Sequence, residues 1–210
     1  MKQYFMVWQM YYIVWRLGRA TIQIAMTQAK TNPRLSRETW LAKALDVLAE
    51  NPQHLRIDEL AERLGVSKGS FYWHFENRSD FIWAMAEFWR DRSTVNIAEA
   101  LARIRSSAED RLYTLMTQLL EERAGQYDLA LRAWARHEPS ILPVIREVDE
   151  IRHSRVEGLF LEMGFDSAEA RMRTRVFVTF HALEEAMTAQ LSRKKALAEL
   201  ELRHAFFIRR

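Results

Sequence analysis

Three features of the sequence predict an all-α fold. Glycine and proline are scarce, at six and four in 210 residues. Apolar residues recur at a 3.6-residue spacing through most of the chain, and no stretch alternates as a half-buried strand would. The strong helix formers Ala, Leu, Arg and Glu are abundant. The length suits one large domain or two small ones, with enough chain for a real core.

Residues 4–17 (YFMVWQMYYIVWRL) form an apolar, aromatic run. It is shorter than the ~20 residues a membrane span needs. Lys2 before it and Gly18-Arg19-Ala20 after it give a faint likeness to a signal peptide, but its Trp, Tyr and Gln content argues against one. Residues 1–33 are an N-terminal extension, and translation is expected to start at Met26. If the run is present, it is an extra amphipathic helix.

Regular helical spacing begins after Asn32-Pro33. Ser36 is placed to cap a helix with Trp40, Leu41, Ala44, Leu45 and Leu48 on one face, ended by Asn51-Pro52. A short helix over Ile57–Leu64 is stopped by Gly65. Ser67 is placed to cap another short helix, reaching about Phe75. Asn77-x-x-Asp80 opens a long helix to about Arg105. Ser107-x-x-Asp110 opens the next, with Gly125 as its break. Tyr127–His137 is a short helix. Pro139 suits the start of a helix ended by Gly164, with Pro143 kinking its first turn or shifting its start. Asp166-x-x-Glu169 opens a helix to about Gln190, and a last one covers Arg193–Phe207. The count is about nine.

The absence of Cys excludes disulfides, zinc ribbons and thiol catalysis, and it suits a reducing cytoplasm. The net charge of +3 does not by itself mark a nucleic-acid binder. Residues 1–33 carry Lys2, Arg16, Arg19, Lys30 and no acid, while the remaining 27 basic and 28 acidic side chains nearly cancel. Any such surface must be local.

Residues 56–75 have the shape of a helix-turn-helix. Ala61 is small where two helices cross. Gly65 supplies the positive φ for a sharp turn, and Val66 fills the space between the helices. Ser67, Gly69 and Ser70 keep the second helix slim at the end that would enter a groove, where backbone N–H groups can face phosphate. In the run Phe71-Tyr72-Trp73-His74-Phe75, the two phenylalanines read as core and the rings between them as surface.

The stretch LAERLGVSKGSFYWHFENRSDF resembles the DNA-binding region of the TetR (tetracycline-repressor-like) family. Leu60, Ala61, Gly65, Val66, Ser67, Gly69, Ser70, Tyr72, His74, Phe75, Asn77 and Arg78 match its pattern, with Phe81 standing for a leucine. The resemblance covers residues 34–94 and implies a three-helix DNA-binding domain there. Residues 95–210 are then a helical ligand-sensing and dimerisation domain. Lys68, Gly69, Ser70, Tyr72 and His74 match positions that meet DNA in that family. Arg78 opens the next helix, where a cation can pair with phosphate, and Trp73 could touch the sugar-phosphate backbone. Arg56 departs from the family's capping Ser or Thr. Its guanidinium would suit phosphate, with Asp58 taking over the cap. Residues 34–80 hold seven basic and eight acidic side chains, so the salt dependence of DNA binding should be modest.

The same resemblance implies a cytoplasmic transcriptional repressor. It would be a homodimer joined through its last two helices, bound to a palindromic double-stranded operator and released by an unknown small-molecule effector. The width of the apolar surface from Val176 to Met187 fits a helix buried on two sides. Candidate pocket residues are Phe88, Tyr113, Met116, Thr117, Trp134, His137, Phe177 and His181. No cofactor, resident metal or membrane partner is implied, and no catalytic set is recognised. The pairs His153/Glu157 and His181/Glu184 leave a metal-dependent helical enzyme as one alternative, and a helical carrier or protein-interaction protein is another. No P-loop, nucleophile elbow or dinucleotide fingerprint is present. Arg146-Glu147 and Arg152-His153 read as solvated helix surface.

Overall fold

The structure, a computed structural model, describes residues 35–53, 55–102, 106–122, 124–187 and 193–209. The N-terminal extension with its expected start at Met26 lies outside the described residues, as do the helix ends expected at Arg105 and Gln190. Among the described residues there are nine α-helices and no strand. They are α1 (Arg37–Glu50), α2 (Ile57–Arg63), α3 (Lys68–Phe71), α4 (Arg78–Ala102), α5 (Ala108–Glu122), α6 (Ala124–Trp134), α7 (Leu142–Glu162), α8 (Ser167–Met187) and α9 (Arg193–Ile208). A 3-10 turn, Pro139–Ile141, precedes α7.

The helix starts follow their capping residues. Ser36 Oγ accepts from Thr39 N, Asn77 Oδ1 from Asp80 N and Ser107 Oγ from Asp110 N. Asp166 Oδ1 accepts from the backbone N–H groups of Glu169 and Ala168, which hold its carboxyl below the usual range. Two helices end in the same way. Gly65 and Gly164 take φ values of 67° and 88°. In each case the following N–H reaches back over the turn, Val66 N to Ala61 O at 3.0 Å and Phe165 N to Phe160 O at 3.2 Å.

Three expectations need correction. Ser67 stands at the N-cap of α3 but makes no side-chain cap bond, and α-helix persists only to Phe71 before a turn over Tyr72–His74. Gly125 does not break a helix; it lies in the first turn of α6. A Cβ there would stand 2.9 Å from the carbonyl oxygen of His181, so the glycine allows α6 to approach α8. Pro143 sits in the first turn of α7, where its missing N–H costs nothing, and the helix starts at Leu142 rather than at Pro139.

Two apolar centres hold these helices. In the first, Trp40, Phe71, Phe75 and Phe81 are at most 1% exposed, and Phe71 meets the other three rings at centroid distances of 5.0–5.5 Å. The second joins α5, α7, α8 and α9 around Leu112, Met116, Phe160, Phe177, Leu200 and Phe207. No helix among the described residues is long and apolar enough to cross a membrane.

Candidate nucleic-acid interface

The aromatic run divides into two faces. Phe71 and Phe75 are buried at 0% and 1% exposure, whereas Tyr72 and Trp73 are 57% and 73% exposed. The physical cause lies in the turn before them. The positive φ of Gly65 and the Val66–Ala61 bond set α3 across α2, and Ala61, 3% exposed, leaves room for the crossing. Phe71 then inserts between Trp40 and Phe81, and the intervening residues must face outward. His74 is half-buried, its ring edge-on to Phe75 at 6.2 Å.

The remaining expected contact residues share this end of the molecule. Lys68 and Gly69 are exposed and Ser70 is half-buried at the start of α3. Arg56 is exposed at the N-cap of α2 and makes no cap bond. Asp58 does not replace it as a cap; its carboxylate meets Lys68 Nζ at 2.9 Å. That contact lowers the Asp58 carboxyl and raises the Lys68 ammonium. Arg78 donates to Glu138 Oε2 at 3.0 Å, tying the start of α4 to the segment before the 3-10 turn. Lys68 and Arg78 are therefore engaged by carboxylates before any phosphate arrives. Exposed pairs of this kind are weak and salt-screened, so a polyanion can displace them.

Residues 41–85 match the family model described as bacterial regulatory proteins, tetR family. The helix-turn-helix thus lies within a tetR-family domain. The fold agrees. A transcriptional regulator from Rhodococcus sp. Rha1 superposes with a TM-score of 0.62 at 21% identity, covering 83% of this chain and 94% of that one. A TetR transcriptional regulator from Legionella pneumophila gives 0.60 at 13%, covering 85% and 94%. The fatty acid degradation regulator FadR from Bacillus halodurans gives 0.60 at 14%, covering 85% and 96%. Among curated proteins nothing matches the chain. The fold is that of these transcriptional regulators.

The body of the chain contains a cavity of about 390 Å³. Leu115, Leu119, Val156, Leu159, Phe177 and Val178 supply its apolar wall. Arg111, Asp128, Arg152, Arg155, Glu162 and His181 also line it. Of the pocket residues expected from sequence, Phe177 and His181 are here. The other six are placed elsewhere. Met116 and Trp134 are core, at 0% and 2% exposure. Tyr113 packs edge-on against His204 at 5.2 Å, and Thr117 Oγ1 donates to the Tyr113 carbonyl. Phe88 is half-buried under the Arg92 guanidinium, and His137 is exposed beyond α6.

The polar wall was not foreseen. Arg152 is not solvated surface: its side chain is 15% exposed, and Nη1 donates to both oxygens of Asp128 at 2.8 and 2.9 Å. Asp128 is 2% exposed, and Arg132 also reaches it while gripping Asp149. These hydrogen bonds with the two carboxylates, Asp149 foremost, raise the Arg132 guanidinium further. Members of both His/Glu pairs are engaged within the protein. His153 Nδ1 meets the Asp149 carbonyl at 2.7 Å, and Glu184 is held by both terminal nitrogens of Arg203. His181 Nδ1 lies 3.7 Å from Glu184, and burial pushes this imidazole below its ordinary value.

Proposed function

We propose that this regulator is a cytoplasmic homodimeric repressor that reads a palindromic operator and is released by a small molecule held in the body. The separation of the 71–75 run into a buried and an exposed face carries this reading. Core packing explains Phe71 and Phe75, whereas Tyr72 and Trp73 turn 57% and 73% of their surface to solvent beside a slim helix start. Residues 34–94 are the DNA-binding domain, 95–210 the sensing and dimerisation body and 1–33 an extension. Gly69 and Ser70 let the start of α3 approach the groove. Lys68 reaches a base edge or phosphate, and Arg56 and Arg78 pair with phosphates. Tyr72, Trp73 and His74 lie along the sugar-phosphate backbone.

The dimer reading is supported by an apolar stripe. Met172, Val176 and Phe180 are 59%, 45% and 37% exposed at four-residue intervals on α8, and Leu202 and Phe206 are 73% and 67% exposed on α9. A second copy packed through both helices would cover all five and place two recognition segments about a twofold axis. The cavity beside α8 supports effector control, because a ligand there touches the helix that joins the subunits.

Footprinting the DNA upstream of the protein's own gene tests this, with and without cell extract as an effector source. A symmetric footprint lost on adding extract is expected. Joint replacement of Tyr72 and His74 by Ala should remove the footprint while leaving the thermal midpoint near wild type. An unchanged footprint would refute the proposed face.

A further inference from the structure

Three arginines line the cavity, and they differ in what they hold. Arg152 is matched by Asp128, and Arg111 donates to Glu162. Arg155 meets no carboxylate among the described residues; its Nη1 donates to the backbone carbonyl of Thr94 in α4. Among the described lining residues, two carboxylates against three guanidiniums leave one positive charge, and it sits on Arg155. Arg132, behind the wall, does not add to the excess, because Asp149 balances it. The wall also has unmet hydrogen-bonding capacity. Arg111 Nε, Arg152 Nη2 and His181 Nε2 are buried without a partner. Leu115, Leu119, Val156, Leu159, Phe177 and Val178 make the rest of the surface aliphatic and aromatic.

Gly158 adds an independent observation. It lies within α7, where glycine costs helix stability relative to alanine. No neighbour requires it, since a Cβ would meet nothing within 4 Å. It lines the cavity, so its effect is to keep space open.

We propose that the cavity binds a small organic anion, a carboxylate on an apolar body, with the carboxylate on Arg155 and the body against Leu115, Leu159 and Phe177. This rests on reading the cavity as the effector site and names the effector's chemical class. The volume is that of about a dozen water-sized groups at ~30 Å³ each. Arg155 also supplies the link to DNA. A carboxylate is a stronger acceptor for a guanidinium than a neutral carbonyl, so a bound anion competes with Thr94 for Arg155. Thr94 belongs to α4, which begins at Arg78 beside the recognition face. The anion thus exchanges a contact to α4 for one to itself.

Calorimetric titration of the full chain with octanoate, and with 1-octanol as its neutral counterpart, tests the proposal. Octanoate should bind at least about tenfold more tightly than octanol, and Arg155→Gln should remove that advantage. Arg155→Lys, which keeps the charge, should retain most of it. Equal affinity for the two probes, no binding of octanoate, or unchanged octanoate affinity in R155Q would overturn the anion assignment. Gly158→Leu, which fills the cavity, separates this from the underlying reading. If G158L abolishes octanoate binding while R155Q does not, the cavity is the binding site and the assigned contact is wrong. If octanoate binds G158L as it binds wild type, the cavity itself is not the site. Thermal midpoints of the variants, followed by circular dichroism, confirm that each is folded.

Discussion

The recognition end and the cavity wall solve the same problem, holding helices in a fixed relation, with opposite chemistry. Around α3 the fixing groups are rings: Trp40, Phe71, Phe75 and Phe81, nearly free of polar atoms and at most 1% exposed. Around the cavity they are ions, with Asp128 at 2% exposure between Arg152 and Arg132. An apolar cluster gains by excluding everything, including ligand. A buried ion cluster must satisfy its members' hydrogen-bonding capacity or leave it waiting, as at Arg152 Nη2. A recognition helix needs rigidity and an outer face. A wall that is to take a ligand needs capacity left over.

The largest expected effects test this contrast directly. Phe71→Ala should cost about 3–5 kcal/mol, because it removes the ring at which three others meet. Asp128→Ala should cost a comparable ~3–5 kcal/mol, because it leaves Arg152 buried without its partner. The two should differ in what rescues them. A second substitution, Arg152→Met, should recover part of the Asp128→Ala loss by removing the stranded charge. No change of charge should help Phe71→Ala. Urea denaturation of the single and double variants measures both. An Asp128→Ala protein as stable as wild type would show that the ion cluster holds nothing together.

These two centres were unequally legible in sequence. The recognition end follows local rules that leave marks at fixed positions. Gly65 must take φ of 67°, Ala61 must be small, and Phe71 and Phe75 must be apolar where the chain turns inward. The helix starts were legible for the same reason, since Asn77, Ser107 and Asp166 each bond an N–H within three residues. The cavity depends on groups distant in sequence. Asp128 and Arg152 are 24 residues apart on different helices, so Arg152 has the spacing of a solvated side chain. A gap between helices is also a property of what is missing. Met116 and Trp134 fit the periodicity of a pocket wall as well as that of a core, and here they are core. Gly158 was the available signal, an unforced glycine inside a predicted helix.

A smaller effect comes from Gly125, where α6 touches α8. Gly125→Ala places a methyl group 2.9 Å from a backbone carbonyl that cannot swing aside. Helix propensity alone predicts a gain for this change, but the clash should outweigh it, with a net loss of about 1–3 kcal/mol. A stabilised Gly125→Ala protein would mean that α6 and α8 can separate freely, and that the wall carrying His181 is soft.

His181 makes the same wall sensitive to pH. Burial holds its imidazole below the ordinary value, while Glu184 pulls weakly the other way. Its side chain is 8% exposed. The folded protein therefore keeps His181 neutral when the unfolded chain begins to take up a proton, near pH 6.5. Below that pH the unfolded state binds more protons, so this contribution is favourable above about pH 6.5 and is lost on acidification. The thermal midpoint of His181→Gln should fall less than that of wild type between about pH 7 and pH 5.5. Equal falls would place the sensitivity in other groups.

The smallest expected effect has the opposite sign. Gly158→Ala, like Gly125→Ala, replaces a glycine within a helix by the best helix former, and the two should part company. At Gly158 the new methyl meets nothing within 4 Å, so only the backbone gain remains, about 0.5–1 kcal/mol. One methyl also narrows a cavity of about 390 Å³ without closing it. The variant should be slightly more stable in urea, and it should bind a bulky ligand slightly less well. Stability and open space would then be opposed at one position: the chain gives up helix stability there to keep the cavity wide. A Gly158→Ala protein less stable than wild type would mean that the space beside Gly158 closes in solution, and that the glycine serves packing rather than ligand.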